Sequence, residues 1–170
     1  MDEDNSKQSA SNQTDPSALE ISTLKRREIQ SPLIACLLEA FIDEIGYEKT
    51  MAVASAAIQK DAMQAGKLMV EKYGGNTFEQ LRQVVQEVWA DGEALEFNIL
   101  EETNEKLSFD VARCRYAELY DRLGIKKFGF CLSCNRDAPL IQGFNSRMKL
   151  IRTQTIMEGA DQCDFRIVIE

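Results

Sequence analysis

Residues 94–113 read ALEFNILEETNEKLSFDVAR. The apolar pattern changes its period here. Leu95, Phe97 and Ile99 alternate with other residues, and so do Leu107, Phe109 and Val111. Asn104 and Glu105 lie between the two runs. Two alternating runs joined by a short polar turn predict a β-hairpin. Upstream of this stretch the apolar spacing is helical, and downstream most of it alternates. Helices first and strands later predict an α+β fold, with N-terminal helices packed on a C-terminal, mainly antiparallel β-sheet.

Upstream, three helices are expected. In residues 28–45, Leu33, Ile34, Leu37, Leu38, Phe41, Ile42 and Ile45 fall at helical spacing, with Pro32 in the first turn and Gly46 as the stop. Residues 48–73 are rich in Ala and Met, and Met51, Ala54, Ile58, Ala62, Ala65 and Met69 form a stripe of small and flexible side chains. Such a stripe suits close helix packing, or a homodimer interface. Gly66 is its weak point and Gly74-Gly75 its end. Thr77 and Gln80 form a capping-box pair for a third helix, whose inner face is Phe78, Leu81, Val84, Val85, Val88 and Trp89.

Downstream, residues 115–123 return to helix, and residues 147–157 and 163–169 alternate as strands. Between them, residues 128–144 permit a strand early on, followed by a short helix over 134–143 ending at Gly143.

The composition narrows the function. At 170 residues with 44% hydrophobic content, the chain has material for one packed core. Its net charge of −8 argues against nucleic acid as a partner. The basic run Lys25-Arg26-Arg27 reads as a solvated helix start. Residues 1–24 are expected to be a disordered polar tail, with 25–170 as a single domain. With no apolar leader, no membrane-spanning stretch and an odd count of five cysteines, reduced thiols in the cytoplasm are expected.

The chain contains no histidine. Proton transfer must therefore fall to carboxylates or thiols. If residues 134–143 are helical, Cys134 and Asp137 share a face. A carboxylate can take a thiol's proton but disfavours the thiolate, so a nucleophilic Cys134 needs a cation beside it. Arg152, on the more apolar face of its strand, is the candidate, and its partner is Asp137, Asp164 or a bound carboxylate. Cys114 sits at a strand-to-helix junction, where a thiol is activated. Cys36, Cys131 and Cys163 read as core. Cys131-x-x-Cys134 is half a zinc-knuckle spacing without a second half, so neither metal nor cofactor is expected.

The stretches RCRYAELY (113–120), LSCNRD (132–137) and GFNSRMKLIRTQTIMEGADQCDF (143–165) resemble the family of L-2-amino-thiazoline-4-carboxylic acid hydrolase. A fainter similarity links the C-terminal pattern to 4-vinyl reductase-type ligand-binding domains. The first resemblance implies a hydrolase that opens a small cyclic amidine-like or thiazoline carboxylate, giving an N-carbamoyl-cysteine type of product. Within it, Arg152 is expected to hold the substrate carboxylate. Cys134 attacks the amidine-like carbon, or Asp137 activates water for the attack. Thr153, Thr155 and Asn145 orient polar ring atoms, and Cys114 adds a contact. The second similarity implies instead a non-catalytic small-molecule-binding or sensory module.

Overall fold

The computed structural model describes residues 21–170. Residues 1–20 of the expected polar tail lie outside the described residues. The helix expected from residue 28 begins at Thr23, so residues 23 and 24 are part of the fold. This first helix, α1 (Thr23–Ile45), is capped by Ser22, whose Oγ accepts from the Lys25 N–H at 3.1 Å. The cap lies upstream of the apolar run, and as a result Pro32 is in the helix interior and not in its first turn.

The faces of α1 also differ from the sequence reading. Ser31, Ala35 and Leu38 are buried, with Ile34 and Ile42 packed beside them. Leu33, Leu37, Phe41 and Ile45 form an exposed ridge, Leu33 being 67% exposed. Cys36, expected in the core, is exposed on this side. The apolar stripe is wider than the face that α1 buries.

Gly46 alone connects α1 to α2 (Tyr47–Tyr73), with a φ of 86°. Gly74, in the left-handed region, ends α2 as expected. The Ala/Met stripe of α2 faces inward. Ala62 is fully buried, and Met51, Ala54, Ile58 and Met69 pack on the core. Its main helical partner is the helix Asp137–Phe144. The capping box of Thr77 and Gln80 opens α3 (Phe78–Val84). A π-helical turn, Val85–Trp89, follows directly.

The hairpin is present as β1 (Leu95–Glu102) and β2 (Lys106–Cys114), with Phe97 opposite Val111 and Ile99 opposite Phe109. Leu107, Phe109 and Val111 are buried on its inner face. Two helices follow, α4 (Arg115–Arg122) and α5 (Lys126–Leu132). The latter replaces the strand permitted early in 128–144. A 3-10 turn over Cys134–Arg136 leads into α6 (Asp137–Phe144), close to the short helix expected there.

Gly143 lies inside α6 and is not its stop. A Cβ there would meet the Met63 carbonyl group of α2, and one at Gly66 would meet the Leu140 carbonyl oxygen and, at 2.7 Å, the Phe144 nitrogen. The two glycines let the α2 and α6 backbones touch.

The last two strands are β3 (Met148–Ile151) and β4 (Cys163–Ile169). The sheet is antiparallel throughout in the order β1-β2-β4-β3. β3 is shorter than the alternation over 147–157 predicts. The backbone N–H groups of Thr153 and Gln154 donate to Asp164 Oδ1, both at 2.9 Å, in place of a strand ladder. Thr155 then caps a 3-10 turn, Ile156–Glu158. The Phe109 and Phe165 rings stack with centroids 4.7 Å apart, at the centre of the face on which the helices lie. The N-terminal helices packed against this sheet make the fold α+β.

Candidate functional site

A cavity of about 320 Å³ opens between the sheet and the helices. Its apolar wall includes Met69 of α2, Val88 and Trp89 of the π turn, Val111, Leu140, Met157 and Phe165. The π turn brings two successive side chains, Val88 and Trp89, to this wall. The Trp89 carbonyl accepts from the buried Tyr116 hydroxyl at 3.0 Å. Cys114, Cys134, Cys163, Asp137 and Arg152 also line it and lie close enough to act on one another electrostatically.

The backbone explains this proximity. Cys134 opens the 3-10 turn and Asp137 opens α6, so the continuous helical run places both on one side. Arg152 lies just past the end of β3, in step with the inward-facing Met148 and Leu150. Its Nη1 donates to Asp137 Oδ2 at 2.5 Å and its Nη2 to the Cys134 carbonyl at 3.0 Å. The guanidinium also lies 4.9 Å from the centre of the Phe165 ring. Only 10% of the Arg152 side chain and 20% of the Asp137 side chain is exposed. Of the partners open to Arg152 in the sequence reading, the structure gives it Asp137. Asp164 instead holds the backbone of residues 153–154 and the Thr153 hydroxyl.

Burial sets the electrostatics. It pushes the Asp137 carboxyl above its ordinary value, against the opposing pull of Arg152. Burial, then the Asp137 charge, pushes the Cys134 thiol well above the usual range; Arg152 offsets only part of this. Cys114 is the N-cap of α4, but the activation expected there does not follow. Burial raises it to about 11, although N–H groups of the first turn lower it. Cys163 is raised by burial too, and its Sγ accepts from the Ile156 N–H at 3.2 Å.

Three residues expected at the site have partners elsewhere and do not line the cavity. The Thr153 hydroxyl donates to Asp164 at 2.7 Å. The Thr155 hydroxyl is buried and donates to Glu158 at 2.7 Å. The Asn145 side chain donates to the Asn76 carbonyl and accepts from the Arg147 N–H, tying the end of α6 to the α2–α3 link. Cys131 is buried against Ser55, its Sγ 3.4 Å from the hydroxyl, apart from the cavity lining. Among the described residues, no three His, Cys, Asp or Glu side chains are grouped to hold a metal ion.

The family model described as L-2-amino-thiazoline-4-carboxylic acid hydrolase matches residues 26–167. The chain belongs to that family. The match includes Cys114, Cys134, Asp137, Arg152 and Cys163. No curated protein sequence gives a significant match to this family member. Among solved structures, it is similar in fold to a trafficking protein particle complex subunit 3 from Naegleria fowleri covalently bound to palmitic acid. That likeness has a TM-score of 0.51 at 15% identity and covers 84% of this chain and 96% of the other. It is also similar to the phenol-responsive sensory domain of the transcription activator PoxR with phenol. There the TM-score is 0.51 at 10% identity, over 81% of this chain and 73% of the other. At such identities the likeness is one of fold.

The cavity also has basic residues to which the sequence reading gave no site role. Arg26 and Arg27 of α1, Lys72 of α2 and Arg136 of the 3-10 turn all line it. Among the described residues, no helix is long and apolar enough to cross a membrane.

Proposed function

We propose that this family member hydrolyses a small cyclic amidine-like carboxylate of the thiazoline class, with Asp137 as the proton-transfer group. One observation carries the reading: a carboxyl with a raised pKa heads α6 in the lining of a cavity, held in place by Arg152. A carboxylate whose pKa is raised is a stronger base. The Cys134 thiol, raised by burial and by Asp137, serves as a wall and hydrogen-bonding group and not as the nucleophile.

The step balances as follows. Asp137 takes one proton from water as the water oxygen adds to the ring carbon between nitrogen and sulfur, and returns it to the ring nitrogen, which has received the C=N electron pair. The hydroxyl of the tetrahedral intermediate then gives its proton to Asp137 as the C=O forms and the C–S bond breaks. The departing sulfur takes that proton from Asp137, leaving the carbamoyl group on nitrogen.

Turnover of 2-amino-thiazoline-4-carboxylate and related cyclic amidines, followed by mass spectrometry, tests this. Asp137→Asn is expected to lose on the order of 10²- to 10⁴-fold in rate, while Cys134→Ser keeps most of it. A covalent adduct on Cys134, or an inactive Cys134→Ser beside an active Asp137→Asn, overturns the assignment.

A second reading, a non-catalytic small-molecule-binding module, is supported by the largely apolar wall and the three thiols raised by burial. Ligand binding without turnover of any compound in the panel selects it.

A further inference from the structure

We propose that Arg27 is the anion anchor of the cavity, taking the carboxylate of an organic acid through its guanidinium fork. The inference rests on the reading that the cavity receives a small carboxylate, and it moves the carboxylate-holding role from Arg152 to Arg27. Arg152 is already committed. Its charge is paired with Asp137, and one N–H of each terminal nitrogen is taken by protein oxygens. A second carboxylate beside it would face Asp137.

Arg27 is in the opposite condition. It is half-buried, lines the cavity, and makes no hydrogen bond or ion pair with any described residue. The other half-buried arginines all have acceptors: Arg82 has Glu102, Arg115 the Gly92 carbonyl, Arg136 Asp61, Arg152 Asp137 and Arg166 Asp110. An unpaired guanidinium withdrawn from water is costly, and the cost is returned when an anion occupies the site.

The surroundings point the same way. Burial, then the neighbouring Arg136 charge, lowers the affinity of Arg27 for its proton. Arg26 and Lys72 add two further cations to the lining. A chain with a net charge of −8 thus gathers cations around a cavity whose lining includes one carboxylate, Asp137, which is itself paired. That distribution draws an anion in and orients it. Planar, bidentate recognition of a carboxylate is the chemistry an arginine supplies best.

The test is calorimetric binding to the full chain of 2-amino-thiazoline-4-carboxylate, benzoate and the two matching carboxamides, with Arg27→Gln and Arg27→Lys variants and a melting curve for each. Wild type is expected to prefer each carboxylate that binds over its amide by roughly 10- to 100-fold, the range for a charge-assisted contact. Arg27→Gln removes that preference, and Arg27→Lys keeps part of it. Because Arg27 has no partner among the described residues, Arg27→Gln is expected to melt no lower than wild type without ligand. Equal binding of acids and amides by wild type overturns the proposal. So does an absence of binding by all four compounds, or a preference that survives Arg27→Gln. If the preference holds and follows Arg27 but nothing is turned over, the hydrolase reading fails and the anchor stands.

Discussion

Replacing Arg152 with leucine strands the Asp137 carboxylate. The pair is nearly withdrawn from solvent, so breaking it costs far more than an exposed bridge would. Removing one partner of a buried pair costs about 3–5 kcal/mol. Asp137 borders a cavity and keeps a fifth of its side chain exposed, which favours the lower end, about 3 kcal/mol. With a urea slope of about 2 kcal/mol per molar, that is a fall of roughly 1.5 M in the unfolding midpoint.

The loss depends on pH, and its sign follows from the raised pKa. The folded state binds the Asp137 proton more tightly than the unfolded chain does, so this group's contribution to stability falls as pH rises from about 4 through the folded value. Arg152 is what holds that value down, and its removal raises it further. Arg152→Leu is therefore expected to be less damaging at pH 5 than at pH 8. The double variant Arg152→Leu/Asp137→Leu, with no stranded charge, recovers most of the loss at pH 8. Urea unfolding of the four proteins at both pH values measures all of this. A midpoint change under about 0.5 M for Arg152→Leu at pH 8, or a greater loss at pH 5, refutes the reasoning.

Other outcomes are equally specific. Gly143→Ala forces the α2 and α6 backbones apart and is expected to cost about 1–3 kcal/mol despite alanine's better helix propensity, read as a lowered melting temperature; a rise would contradict the close approach. Brief iodoacetamide treatment at pH 8, followed by peptide mapping, should label Cys36 first, because Cys114, Cys131 and Cys163 are buried and the Cys134 thiol is held protonated. Fast labelling of Cys114 or Cys134 would contradict that protection. Tyr116→Phe leaves the Trp89 carbonyl without its 3.0 Å donor, and urea unfolding should register a loss of about 1 kcal/mol. An unchanged midpoint would mean that water replaces the hydroxyl.

Local chemistry was legible in the sequence, and long-range placement was not. The hairpin, the capping box at Thr77 and the helical run joining Cys134 to Asp137 depend on neighbours within a few residues. The pairing of Arg152 was legible as a requirement, because a charge on an apolar face needs an opposite one. Thr153 and Thr155 misled because threonine suits both a strand and a side-chain-capped turn, and a distant Asp164 decides between them. Cys36 misled because α1 has more apolar surface than its packing covers. Arg27 was set aside because three basic residues at a helix start read as solvated. Only the placement of α1 beside the cavity brings the second and third of them, Arg26 and Arg27, to its lining.

The contact of Gly66 and Gly143 has a consequence for how this site can vary. Asp137 begins the helix whose far end is seated by main chain on main chain, and no rotamer can relax at such a seat. The acid is thus registered to α2 independently of the side chains that shape the cavity wall. Met69, Val88 and Met157 line the wall and can be exchanged for bulkier or smaller groups, changing which ring fits, while Asp137 keeps its station. A directed search for new ligands should accordingly randomise those wall positions and leave both glycines untouched.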